Sequence, residues 1–211
     1  MTLAFDIETL GKLEESSIIT CICLYDGVHK WEYRFWKVSS EEWERNRKEV
    51  MERMDEAPRL AGFHAMGFDI PFMQKSLQVE TERIQKWMGK CQDPFVVCRD
   101  ILHCTCSLNK LLELNGLGLK TGTGGNAIEL ALEEKWESLL AYCMMDTVLT
   151  YELCTLPSIR FSNALMGKVG EDGLWRFSLR QKPQATEPIV WKMCENEKTE
   201  CGAVCYECDE Y

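Results

Sequence analysis

Three β-rich runs lie within the first 38 residues with little chain to spare between them, and this crowding limits the fold more than any other feature. Residues 2–5 (TLAF) are a short apolar run. Residues 18–25 (IITCICLY) are dense in β-branched and sulfur side chains, and residues 31–38 alternate aromatic with polar positions. Asp26 and Gly27 supply the turn between the last two, so the runs read as a meander. A charged helix follows, capped by Ser39 or Ser40, with Trp43, Val50, Met51 and Met54 near one face and Pro58 as its stop. Beyond it, strands are expected at 59–63 and 95–98. Helical spacing is expected after Pro71, from 107 to 116, and from about 133 to 153 ahead of Pro157. The KTGTGGN stretch at 120–126 reads as a loop. Strands followed by alternating strand and helix describe a mixed α/β sheet with helices on its faces.

The chain has 211 residues, enough for one domain or one domain with a small appendage. A composition shift near Ser158, where Gly, Pro and Cys rise, divides it into a core at 1–157 and an extension at 158–211. No run approaches the roughly 18 apolar residues of a membrane span, and the first residues lack a basic leader. A soluble, intracellular protein of the cytoplasm or nucleus is expected. Lys and Arg number 24 against 34 Asp and Glu, so a surface that coats polyanions is excluded and any nucleic-acid contact must be local. Twelve cysteines without an export signal point to a reducing compartment. Eight of them, at 21, 23, 91, 98, 104, 106, 143 and 154, sit mostly in apolar stretches and read as core.

Four acids stand out by their surroundings. Asp6 and Glu8 follow the run LAF, and strand period points both the same way. Two carboxylates so held suit a hard divalent ion, or else a solvated strand end. Asp69 is nearly the only charge in AGFHAMGFDIPFM, where it reads as a ligand, as the N-cap of the helix opened by Pro71, or as both. Asp146 is the lone charge in LLAYCMMDTVL. Tyr142, four residues earlier, shares its helix face, either to orient a metal-bound water or to bond a buried aspartate in the core.

In order and local context these segments resemble the DEDD superfamily of 3′–5′ exonucleases, in the branch whose third motif carries tyrosine. FDIETLG is similar to the first motif, GFHAMGFDIP to the second and YCMMD to the third, and the nearest flavour is that of the proofreading domains of family B DNA polymerases. The resemblance covers roughly residues 1–156. It implies an RNase H-like fold and two-metal hydrolysis of phosphodiesters at a single-stranded or frayed 3′ end, with DNA ahead of RNA. By position Asp6, Glu8, Asp69 and Asp146 would hold two magnesium or manganese ions and Tyr142 would orient the attacking water. Thr9 and Leu10 match positions that cradle the terminal nucleotide, and Phe68 would pack against a base. The second motif usually opens with asparagine where this chain has His64, which would have to donate to a phosphate or base in its place.

The last eighteen residues carry Cys194, Cys201, Cys205 and Cys208, a set that suits one structural zinc in a knuckle spanning 194–208. The acidic residues around them make this tail a contact for a protein partner rather than for phosphate. Between Arg160 and Lys182 five cations interleave with Phe161, Trp175 and Phe177, a composition that suits either a single strand or a domain-closing segment. Lys120 in the glycine-rich stretch is a second possible phosphate contact. Two other readings compete with the nuclease. FDIETLG also resembles the nucleophile loop of haloacid dehalogenase-type phosphatases, although that loop has aspartate where this chain has Glu8. An RNase H-like scaffold without catalysis, acting as an adaptor for nucleic acid or protein, is the third.

Overall fold

The computed structural model describes residues 1–11, 18–101, 106–119 and 124–161, together with the backbone of 165–169, 175–179 and 189–190. Five strands form a mixed sheet in the order β3-β2-β1-β4-β5. The central strand β1 (Thr2–Leu10) pairs antiparallel with β2 (Ile18–Tyr25), which pairs antiparallel with β3 (Lys30–Arg34). On its other edge β1 runs parallel to β4 (Arg59–Ala61), which runs parallel to β5 (Cys91–Gln92). The meander is the expected one, but β1 continues five residues past the apolar run, so Asp6 and Glu8 lie within the strand. β3 stops at Arg34, short of the expected 38.

Alternation along β1 sorts the two sides of the sheet. Leu3, Phe5 and Ile7 enter the main core together with Ile22 and Leu24 of β2 and with Val50, Met51 and Met54 of helix α1 (Ser40–Glu56). Ser39 caps α1 by accepting a hydrogen bond from the Glu42 amide at 3.1 Å, with Glu41 and Glu42 in the first turn and Arg53 in the last. Helices α2 (Asp69–Ser76) and α3 (Thr81–Gly89) close the same core with Ile70, Phe72, Met73, Ile84 and Trp87. The Trp87 indole N–H reaches Asp55 of α1 at 2.7 Å, which ties α3 to α1.

Two local readings of the sequence are corrected. Residues 95–98 are not a strand: a short helix α4 (Pro94–Val96) runs into a π-helical turn at Val97–Ile101. Asp93 caps this turn by accepting from the Phe95 amide at 3.0 Å, and Pro94 fixes the first helical φ, so the cap outweighs the β-preference of Val96 and Val97. Nor is 120–126 wholly a loop, because Gly124 already opens helix α6 (Gly124–Leu132). The helix expected from about 133 to 153 is α7 (Trp136–Thr155), and Glu134, at a φ of +57°, separates it from α6. α7 ends at Thr155, with Leu156 as its C-cap just before Pro157.

α6 and α7 cover the second side of the sheet, where Cys21, Cys23, Ala127, Ala131, Leu139, Tyr142, Cys143 and Met144 are buried together. Helix α5 (Leu108–Leu114) packs its leucines on the far half of α7 with Ile159 and Phe161, so Phe161 is a core residue. Four further strands, β6 (Ile159–Arg160), β7 (Leu165–Val169), β8 (Trp175–Leu179) and β9 (Ile189–Val190), pair antiparallel in chain order. Cys194, Cys201, Cys205 and Cys208 lie outside the described residues, as does Lys120. Among the described residues no helix is long and apolar enough to cross a membrane.

Candidate active site

The site begins with what the strand period leaves on the α7 side of β1. Asp6 and Glu8 stand opposite Cys23 and Cys21 of β2, both fully buried. Just beyond Glu8 the register shifts: Thr20 is an extra residue on β2, and its hydroxyl donates to the Glu8 carbonyl at 2.9 Å. This bulge fixes the strand where the acids end. Thr9 donates to the Gly11 carbonyl at 3.3 Å, and Leu10 leans on the core beneath α6 and α7.

Asp69 reaches the site from the other edge. β4 pairs with β1 only from Thr2 to Ala4, which leaves the far half of that edge without a strand partner. There the Ile7 amide donates to Asp69 Oδ1 at 3.3 Å. The N-cap reading of Asp69 is thereby corrected. The cap position is Phe68, which makes no side-chain cap bond, and Asp69 is the first helical residue, turned toward β1 and buried.

α7 brings the rest. Tyr142 and Asp146 are one turn apart and both buried, at 9% and 7% exposure. Between them Cys143 donates its thiol to Asp6, with Sγ 3.4 Å from the carbonyl and 3.5 Å from Oδ2. Donor atoms of Asp6, Glu8 and Cys143 lie within 4.8 Å of one another. Reading the sequence assigned Cys143 to the core, and nothing in an apolar helix run distinguishes a thiol beside a carboxylate from one beside leucine.

The charges of the four acids bear on one another. Burial pushes the Asp6 carboxyl well above the ordinary range, and the charges of Glu8, Asp69 and Asp146 push it further; the Cys143 hydrogen bond opposes them. Asp69 is pushed up to about 7 by burial and then by Asp93. Carboxylates drawn from β1, α2 and α7 into one spot repel one another, and oxygen-rich sets of this kind are satisfied by hard divalent cations. The carboxylates of Asp6 and Glu8 therefore suit a divalent cation.

His64 stands at a φ of +64°, the left-handed region where Asn, Asp and His are tolerated best among residues with a Cβ. That backbone demand gives a physical reason why histidine can stand where the resembling family has asparagine. Its ring lies 4.3 Å from Phe95 and 6.4 Å from Phe68, centroid to centroid, and is within 13° of parallel to Phe68. Burial and the Arg99 charge hold its pKa below the usual value, so the ring is neutral at physiological pH. Phe68 is half-buried and packs on Phe72 at 5.4 Å.

The RNase H superfamily model RNase_H_2 matches residues 3–156, which span every element just described from β1 to α7. The chain belongs to the RNase H superfamily. The haloacid dehalogenase-type reading is thereby set aside. No curated protein sequence matches the chain. Among solved structures it is similar to the family B DNA polymerase of the hyperthermophilic archaeon Pyrobaculum calidifontis, with a TM-score of 0.55 and 16% identity. That match covers 72% of this chain and 24% of the polymerase, so the chain spans about a quarter of the protein it resembles.

Proposed function

We propose that this RNase H superfamily member is a metal-dependent 3′–5′ exonuclease of the DEDD type, tyrosine branch, acting on single-stranded or frayed ends, with DNA preferred to RNA. The observation that carries the proposal is the convergence of Glu8, Asp69 and Asp146 on the Asp6 carboxyl from three separate elements. The similarity to a family B DNA polymerase is in keeping with it. Asp6, Glu8, Asp69 and Asp146 would hold two magnesium or manganese ions, which when bound lower the pKa of an attacking water and neutralise charge on the attacked phosphodiester. Tyr142 presents its phenol one turn from Asp146, where a hydroxyl can orient that water. Cys143 places its thiol 3.5 Å from the Asp6 carboxylate as a donor. The catalytic core would be residues 1–157, and the extension at 158–211 would carry the zinc knuckle and any contact with a protein partner.

Degradation of 3′- and 5′-labelled DNA and RNA oligonucleotides, with and without magnesium or manganese, tests the proposal. Stepwise release of mononucleotides from the 3′ end, stopped by a 3′ phosphate and unaffected by a 5′ block, is the expected result. Cutting of a circular single strand, or no metal-dependent hydrolysis, would overturn it. The second outcome would favour the adaptor.

A further inference from the structure

We propose that Asp93 is a positioning residue of this site, holding the loop between β4 and α2 so that His64 and Phe68 form a platform on which the terminal base of a 3′ end stacks. The inference rests on the exonuclease reading. β4 and β5 end side by side, and the Gly62 amide continues their pairing onto the Gln92 carbonyl at 3.1 Å. Asp93 is the next residue. It is 4% exposed and takes three backbone amides: His64 and Phe95 on Oδ1 at 2.9 and 3.0 Å, and Met66 on Oδ2 at 2.9 Å.

A carboxylate buried at the end of a strand is costly, since burial drives it toward the neutral form; the three amides and the nearby Arg99 charge offset this only in part. What it holds is equally costly. His64 is a residue with a Cβ in the left-handed region, which residues other than glycine seldom adopt. From there its carbonyl accepts the amides of Gly67 at 3.2 Å and Phe68 at 2.9 Å, closing the turn that delivers Phe68 and then Asp69. The imidazole lies so close over this turn that a Cβ on Gly67 would come within 2.9 Å of His64 Cε1. Asp93 thus sets His64, His64 sets Phe68, and two nearly parallel rings are fixed immediately before Asp69. The neutral imidazole brings a stacking face and an Nδ1 with no hydrogen-bond partner among the described residues. Rings in a common orientation beside an acidic, metal-binding site are suited to a base, which every nucleotide offers regardless of sequence.

The test compares wild type with Asp93→Asn on two 3′-labelled single strands that differ only in the last nucleotide, one normal and one abasic. Wild type should lose roughly ten- to a hundredfold in KM on the abasic end, the range that stacking on one base supplies. Asp93→Asn should show the raised KM on both strands, with kcat at saturation within about threefold of wild type when measured above about pH 8, where Asp69, pushed up to about 7 in part by the Asp93 charge, is ionised in both proteins. Equal discrimination by both proteins, or a fall in kcat with KM unchanged, would overturn the proposal. Should Asp93→Asn fail to fold, His64→Gly, which removes the ring and eases the left-handed turn, carries the same comparison. Anisotropy of the same labelled strands with calcium reads the platform by binding alone: absence of cleavage by wild type with magnesium or manganese counts against the exonuclease reading, whereas equal binding of normal and abasic ends by wild type with calcium counts against the platform and the role of Asp93 in it.

Discussion

The two sides of β1 are built from one strand and obey opposite rules. Toward α1 it presents Leu3, Phe5 and Ile7, each at 5% exposure or less, into a core of large side chains. Toward α7 it presents Ala4, Asp6 and Glu8 against small and sulfur-bearing neighbours such as Cys21, Cys23, Ala127, Ala131 and Cys143. The first side lowers the free energy of the folded state by removing hydrocarbon from water. The second raises it, because burial and mutual repulsion drive the Asp6 carboxyl toward protonation. Stability and chemistry are therefore separated by one residue of pleat.

Substitution on each side should expose this division. Asp6→Asn is expected to lower metal-dependent turnover by roughly three orders of magnitude or more, as loss of a shared ligand does. The metal-free protein should melt no lower than wild type. A melting temperature well below wild type, measured without metal, would show that the acidic side also carries stability. Phe5→Ala, one residue away, should cost about 3–5 kcal/mol in denaturant unfolding, the usual range for a deleted buried phenylalanine. It should leave the activity per folded molecule close to normal; a turnover loss like that of Asp6→Asn would break the division.

Proton linkage gives a smaller and sharper test. Asp69 is pushed up to about 7 and Asp93 to about 6, whereas both groups titrate near 4 once unfolded. Between these values the folded chain holds protons that the unfolded chain releases, so this part of its stability is complete below about pH 4 and is lost as pH rises through about 7. The metal-free protein should lose on the order of 4 kcal/mol between about pH 5 and pH 8, and added manganese should flatten the curve. Denaturant unfolding across that range with and without the ion checks both statements. Stability that rises with pH in the metal-free protein would reverse the assignment of these carboxylates as raised.

How much of this was legible depended on whether a residue's partners leave a trace nearby. The meander, α1 and α7 follow from periodicity, because each element's apolar side is written within its own few turns or strands. The four acids stood out as isolated charges in apolar runs, which reports an unusual environment without saying what fills it. Asp93 left a weaker mark. The dipeptide Asp93-Pro94 is a helix-start signal, yet β-branched Val96 and Val97 argued louder for a strand, and two of its three amide partners lie 27 and 29 residues earlier. Cys143 left none, since a thiol bonded to a carboxylate and one buried in hydrocarbon look alike in sequence. The left-handed backbone of His64 was equally hidden.

α7 lies across β1 and β2 and supplies the last acid of the site some 140 residues after the first. During synthesis, Asp6, Glu8 and Asp69 are all made well before Asp146, and the whole five-stranded sheet precedes the helix that carries it. A chain emerging from the ribosome therefore carries three of the four carboxylates but no assembled cluster until α7 has left the exit tunnel and docked. If these acids are the catalytic set, the growing polypeptide is chemically silent beside the messenger that encodes it, and activity begins as one late event.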